Sequence, residues 1–252
     1  MNPITRSKIL LEAYLHRDEF SKNQRMNKTV SLVKYQTLFG QEPNKGNFPI
    51  TCDYESTRDF FLSGIDSAPS GSDTILIGDS LSDFTRNQLS CVRPELNFAK
   101  AGQGSSYYTK IAQDIEPALT KLTIKNVILE CFGNEFLGYF HIDTIKAHVD
   151  TAFSVIRKLF PQAKIILGGL PPVYDLYTNI HKLEFHQYLL DLVLNDENSV
   201  LVLLQKKFAG AFGIFPRIEY SQDGVHLAGQ AIIKYDQLLN EAKSTRLKVI
   251  GV

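Results

Sequence analysis

The chain has no tryptophan, two methionines and three cysteines in 252 residues, and no excess charge of either sign. Cys52, Cys91 and Cys131 are odd in number and far apart, which excludes a disulfide framework and a Cys-x-x-Cys metal site. Free thiols in a reducing compartment are the expectation. Lysine plus arginine equals aspartate plus glutamate, 27 each, so nothing points to nucleic acid or an anionic membrane as partner. No stretch approaches the roughly 18 apolar residues of a membrane span. The apolar start from Ile9 is broken by Glu12, unlike a secretory leader, so a cytoplasmic location is expected. His141, His148, His181 and His186 lack zinc spacing and no H-E-x-x-H occurs; helix-face or surface positions are expected, with no metal. Gly102-Gln103-Gly104 opens like a dinucleotide loop, but Tyr107 stands where the third glycine would be, and no cofactor is expected.

What is present is the content of a globular domain: 44% apolar residues in a chain long enough for one large α/β domain. Short apolar runs recur at 74–77, 127–131, 164–167 and 200–204, with 96–99 as a weaker fifth. Each is followed by glycine or a polar turn, as strands buried on both faces are. Between them lie helical patterns. Ile145, Val149, Ala152, Phe153, Ile156 and Phe160 form one apolar face at a 3.6 period. Leu183, Gln187, Leu190 and Leu194 mark a second helix, and Ile232, Tyr235 and Leu239 a third. Alternation of strand and helix implies crossover connections and a parallel sheet covered on both sides. Residues 1–72 read differently. Leu11 and Leu15, then Val30 and Val33 before Gly40, suggest two helices, followed by a loop-rich stretch over 41–72. The expected organisation is an extension over 1–72 packed on a main domain over 73–252.

Chemistry concentrates in two places. The first strand run stops on Gly78-Asp79-Ser80-Leu81, and Asp223-Gly224-Val225-His226 lies near the other end. A serine hydroxyl is a weak nucleophile until a base takes its proton, and an imidazole base works best when a carboxylate orients it. Ser80 falls at the carboxyl end of a strand, where sites form in open parallel sheets. Ser82 or Asp83 is available to cap the helix that follows; Asp79 could be catalytic, but a carboxylate beside a helix start is more often a structural cap, and that is the expectation. The α/β-hydrolase elbow G-x-S-x-G is not met, since Ser82 replaces the second glycine. Two further blocks follow strand runs: Asn97-Phe98-Ala99 through Gly102, and Phe132-Gly133-Asn134-Glu135. A glycine N–H and an asparagine amide converging with the Ser80 N–H would make an oxyanion hole. Tyr107, Tyr108 and Phe136 follow these blocks and are candidates for a substrate pocket, with core packing as the alternative. Gly169-Leu170-Pro171-Pro172 is expected at the rim, stiffened by its prolines.

In their order these four blocks resemble those of the SGNH, or GDSL-type, hydrolases, over residues 74 to about 240. The third block departs from the family's Gly-x-Asn-Asp pattern: Phe132 replaces the glycine and Glu135 the aspartate, while Asn134 is kept. The resemblance implies a three-layer α/β/α sandwich with a flavodoxin-like parallel sheet of about five strands. It implies Ser80 as nucleophile, His226 as general base and then acid, and Asp223 as the group orienting His226. It also implies an oxyanion hole from the N–H groups of Ser80 and Gly102 and the Asn134 side chain. The function expected is hydrolysis of small acyl esters or acylated carbohydrates through an acyl-enzyme, without cofactor. An O-acyltransferase using the same triad and a non-catalytic binding domain of the same fold are the alternatives.

Overall fold

The computed structural model describes residues 46–130, 132–173, 176–209, 220, 221, 223 and 225–251. Its five strands are β1 (Thr74–Gly78), β2 (Asn126–Glu130), β3 (Lys164–Gly168), β4 (Ser199–Val202) and β5 (Val249–Ile250). They form one sheet in the order β1-β2-β3-β4-β5, and every pairing is parallel. β1 and β2 are buried at every residue, which explains why they read as unbroken apolar runs and not as alternating ones. A parallel sheet needs a crossover between neighbours, and helices supply them. In chain order the helices are α1 (Tyr54–Ser67), α2 (Ser80–Asp83), α3 (Ser105–Ile115), α4 (Gly133–Leu137), α5 (Ile142–Leu159), α6 (Leu176–Leu194), α7 (Gln205–Phe208) and α8 (Gln230–Ser244). They cover both sides of the sheet, giving three layers. α3, α5 and α6 pack side by side, while α8 contacts β3, β4 and β5 and reaches the 90–91 segment, where Asp236 accepts from the N–H groups of Ser90 and Cys91.

The sheet has five strands, but not the five expected. Segment 96–99 runs beside β1 without becoming a full strand. Phe98 N–H donates to the Leu76 carbonyl and Lys100 N–H to that of Gly78, yet only one bridge, Leu76 to Asn97, is formed. The Phe98 carbonyl, on the side that faces β1, accepts from the Tyr107 hydroxyl at 2.8 Å, and residues Pro94–Leu96 are wound into a 3₁₀ turn. On the other side the Arg86 guanidinium, fixed by Asp83 at 3.1 Å, takes the carbonyls of Asn97 and Ala99. The fifth strand is instead Val249–Ile250, too short to carry a periodicity. Counting the 96–100 segment as an edge, the chain runs from β1 outward to that edge and then back across to β2. That reversal is the switch point at which a crevice opens beyond the strand ends.

Two other expectations are corrected. The stretch 41–72 is not loop throughout, because α1 occupies its centre. Asp53 caps this helix through Ser56, and Tyr54, Phe61 and Ile65 bury one face against the domain. The Tyr54 hydroxyl donates to Asp114 on α3 at 2.8 Å, and Phe61 meets Phe98 edge-on at 5.4 Å. The pattern was hidden by polar residues and by Gly64 in the last turn. In α6 the helix is present but its face is the other one: Leu183 is 70% exposed and Leu194 57%, whereas Phe185, Leu189 and Val193 are buried. The two helices expected before Gly40 and the end of the 127–131 run at Cys131 lie outside the described residues. No helix among the described residues is long and apolar enough to cross a membrane.

Candidate functional site

The chain leaves β1 at Gly78 and turns at once into α2. Asp79, not Ser82 or Asp83, is the cap: its Oδ1 accepts from Leu81 N–H at 3.1 Å. Ser80 is therefore the first helical residue, and its N–H has no acceptor within the helix. The turn is pinned from below, for Thr85 Oγ1 donates to the Leu81 carbonyl and Asn97 Nδ2 to that of Ser82.

The loop before α8 brings its histidine to this turn. His226 Nε2 lies 2.9 Å from Ser80 Oγ, and His226 Nδ1 lies 2.6 Å from Asp223 Oδ2. Asp223 Oδ1 also accepts from the backbone N–H groups of Val225 and His226, at 3.0 and 2.9 Å. Burial pushes the Asp223 carboxyl up, but these hydrogen bonds outweigh it and hold the group well below the usual carboxylate range. An ionised Asp223 fixes the proton on Nδ1, so Nε2 offers its lone pair to the Ser80 hydroxyl. The exposed ring of Phe84 sits 4.8 Å from that of His226.

Beside Ser80 opens a small cleft. Asp79, Ser80, Glu130, Asn134 and His226 contribute its polar edge, and Leu137, Leu170, Pro171, Val173 and Val225 its apolar wall. The expected rim residues Leu170 and Pro171 are thus in place. Asn134 Nδ2 donates to the Gln103 carbonyl at 2.7 Å, which ties the loop after segment 96–99 to α4 and leaves the second amide hydrogen for the cleft. Gly102, next to that carbonyl, has φ of +76° and is not among the residues lining the cleft.

Tyr107, Tyr108 and Phe136 do not line a substrate pocket. All three are 0% exposed. The Tyr107 hydroxyl donates to the Phe98 carbonyl and that of Tyr108 to the Gln103 carbonyl, both at 2.8 Å, and Phe136 packs against Phe185 at 5.0 Å. Facing the core as part of α3 and α4, they brace the site's loops from behind. His148 contacts Ser105 Oγ, and His186 is buried on α6.

The altered third block has a structural account. Phe132 adopts φ of +75°, in the left-handed region that glycine enters freely and other residues at a cost of roughly 1–2 kcal/mol. Its ring compensates by packing edge-on against Tyr108 at 5.4 Å and Phe185 at 6.4 Å. Glu135 is buried at 0% exposure, and its Oε1 accepts the first N–H of α3, from Ser105, at 2.7 Å. Burial raises its carboxyl to about 7, the Ser105 N–H opposing. Burial likewise raises Asp79 to about 6, against the pull of the Leu81 N–H, the His226 charge and the Gly133 N–H. Glu130 is also raised, by burial and then by the Asp79 charge, with a hydrogen bond from Ser82 opposing. Sequence reasoning passed over Glu130; a lone acid ending an apolar strand run was the available signal.

No family model and no curated protein matches this chain. Solved structures do. A GDSL-like lipase from Bacteroides thetaiotaomicron superposes with a TM-score of 0.59 at 14% identity, covering 77% of this chain and 98% of its own. A Streptococcus pneumonia protein whose assignment as a platelet activating factor is provisional gives 0.60 at 14% identity, over 84% and 97%. The protein TesA gives 0.50 at 19% identity, over 70% and 100%. The fold is that of the SGNH/GDSL hydrolases. Within that SGNH/GDSL fold, the serine turn, the asparagine block and the aspartate–histidine loop of this chain all meet at one end of the sheet.

Proposed function

We propose that the protein is a serine hydrolase of acyl esters, with Ser80 as nucleophile, His226 as general base and acid, and Asp223 as the orienting carboxylate. The observation that carries this reading is the hydrogen-bonded row from Ser80 Oγ through His226 to Asp223, at 2.9 and 2.6 Å, opening on a cleft. Residues at that spacing are ready to move a proton without rearrangement.

In the proposed reaction Ser80 Oγ attacks the ester carbonyl carbon as its proton passes to His226 Nε2. The carbonyl oxygen becomes an oxyanion, which the Ser80 N–H and the Asn134 amide, both at the cleft, stabilise; Gly102, the expected third donor, does not line it. Collapse breaks the bond to the alcohol oxygen, which leaves with the proton from His226, and Ser80 carries the acyl group. Water then attacks, gives a proton to His226 and releases the carboxylic acid, with Ser80 recovering its proton. Asp223 stays ionised throughout and stabilises the imidazolium. The apolar wall of Leu137, Leu170, Pro171, Val173 and Val225 suits the acyl chain of a small ester.

Hydrolysis of p-nitrophenyl acetate, followed by nitrophenolate release with protein in the micromolar range, tests the reading. Saturable turnover supports it. A rate no higher than that of buffer, with no hydrolysis across esters of two to eight acyl carbons, overturns it.

A further inference from the structure

The mechanism leaves Glu130 without a task, although it lines the cleft beside Asp79 and Ser80. Its place has been cleared for it. Glu130 ends β2, and its register partners on both neighbouring strands are glycines, Gly78 on β1 and Gly168 on β3. A Cβ at Gly78 would lie 2.5 Å from the Glu130 carbonyl oxygen and 3.0 Å from Oε2; one at Gly168 would lie 2.9 Å from Glu130 Cγ. Real Cβ contacts are rarely that short: at Gly78 the backbone carbonyl of residue 130 alone leaves no room for a Cβ, and at Gly168 it is the glutamate side chain that leaves none. Oε2 of that glutamate accepts from Ser82 Oγ at 2.9 Å. Ser82 belongs to the same single turn of helix as Ser80, so β2 holds the nucleophile's turn through this one side chain, 48 residues away in sequence.

We propose that Glu130 is a positioning residue of the Ser80 site: buried with its proton beside Asp79, it anchors the α2 turn through Ser82. This rests on the hydrolase reading above. The groups facing it are Asp79 and Ser82 from the β1–α2 turn, Tyr235 from α8 and, through Asp79, His226 and Glu135. Tyr235 is buried beside Ser82 and Glu130. Asp79 and Glu130 are carboxyls in one buried site, and like charges there resist joint ionisation.

Turnover of p-nitrophenyl acetate between pH 6 and 9 tests this in the wild type, Glu130→Gln and Ser82→Ala. The glutamine keeps the shape and the acceptor for Ser82 but cannot ionise. Glu130→Gln should keep kcat near that of the wild type wherever Glu130 holds its proton. Ser82→Ala should lower kcat about tenfold with KM held. A wild type whose stability does not fall relative to Glu130→Gln as pH rises would overturn the protonation claim. An unchanged kcat in Ser82→Ala, or an effect confined to KM, would overturn the anchoring claim. A further arm does not depend on the hydrolase reading. Chemical denaturation of wild type and Glu130→Gln across the same pH range should show the wild type losing stability relative to the variant as pH rises above about 4.5, the ordinary glutamate range. If the wild type hydrolyses no ester, the hydrolase reading has failed, while this stability difference still decides whether Glu130 is buried with its proton.

Discussion

Glu135 offers a magnitude that can be worked from its surroundings. An unfolded glutamate ionises near 4.5, whereas burial raises the folded carboxyl to about 7. Below about 4.5 both states hold the proton and nothing is lost. Between the two values the unfolded chain releases a proton that the folded chain keeps, so stability falls as pH rises and is fully reduced above about 7. A shift of about 2.5 units at 1.36 kcal/mol each corresponds to about 3 kcal/mol. Glu135→Gln removes the ionisation and retains an oxygen for the Ser105 N–H. Its new NH₂ takes the place of Oε2, which is buried with no hydrogen-bond partner, and leaving such a donor unpaired costs about 1–3 kcal/mol at every pH. The informative quantity is therefore the pH dependence. Urea unfolding of both proteins at pH 4.5, 5.5, 6.5 and 7.5 should show wild-type stability falling by about 3 kcal/mol more than that of the variant across the range. The contribution from Asp223 is common to both proteins and cancels in the difference, whereas Asp79, whose charge helps raise Glu135, is part of the effect measured. Parallel curves would refute the reasoning, because they would mean that Glu135 ionises alike in the folded and unfolded chain.

Asn134→Ala should lower kcat for p-nitrophenyl acetate by about 10²–10³ with little change in KM, the scale for removing one oxyanion donor; a change in KM alone would argue against that role. Asp223→Asn should cut kcat by about 10⁴, because the amide no longer fixes the His226 tautomer that leaves Nε2 free. Steady-state kinetics on folded protein, judged by circular dichroism, checks both. Phe132→Gly relieves a left-handed φ worth roughly 1–2 kcal/mol but deletes a buried ring worth about 3–5, so thermal and urea denaturation should show a net loss of about 1–4 kcal/mol.

The elements legible in the sequence were those whose signal is local and strong. β1 to β4 are buried on both faces and read as apolar runs; α5 and α8 bury one face at a helical period. α6 was placed but turned the wrong way, because it buries Thr178, Lys182 and His186 along with apolar residues and leaves Leu183 and Leu194 in solvent. The edge segment 96–99 was misread because the side chains that take its carbonyls, Tyr107 and Arg86, lie outside the segment. The serine turn, asparagine block and aspartate–histidine loop were visible as short blocks, since each is built from neighbours in sequence. The fate of Tyr107, Tyr108 and Phe136 was not, as an aromatic beside a site block faces core or cleft according to helix rotation. Glu130 left only a weak trace in the sequence, a lone acid ending an apolar run, and its setting between two glycines came from the register.

The claim on which the rest depends is that Ser80 is a nucleophile activated by His226. A fluorophosphonate probe, read by intact mass on wild type, Ser80→Ala and His226→Ala, measures this directly. The wild type should gain the mass of one phosphonyl group, Ser80→Ala none, and His226→Ala should label slower by about three to six orders of magnitude. Full labelling of Ser80→Ala, or a wild type that stays unmodified while folded, would contradict the account.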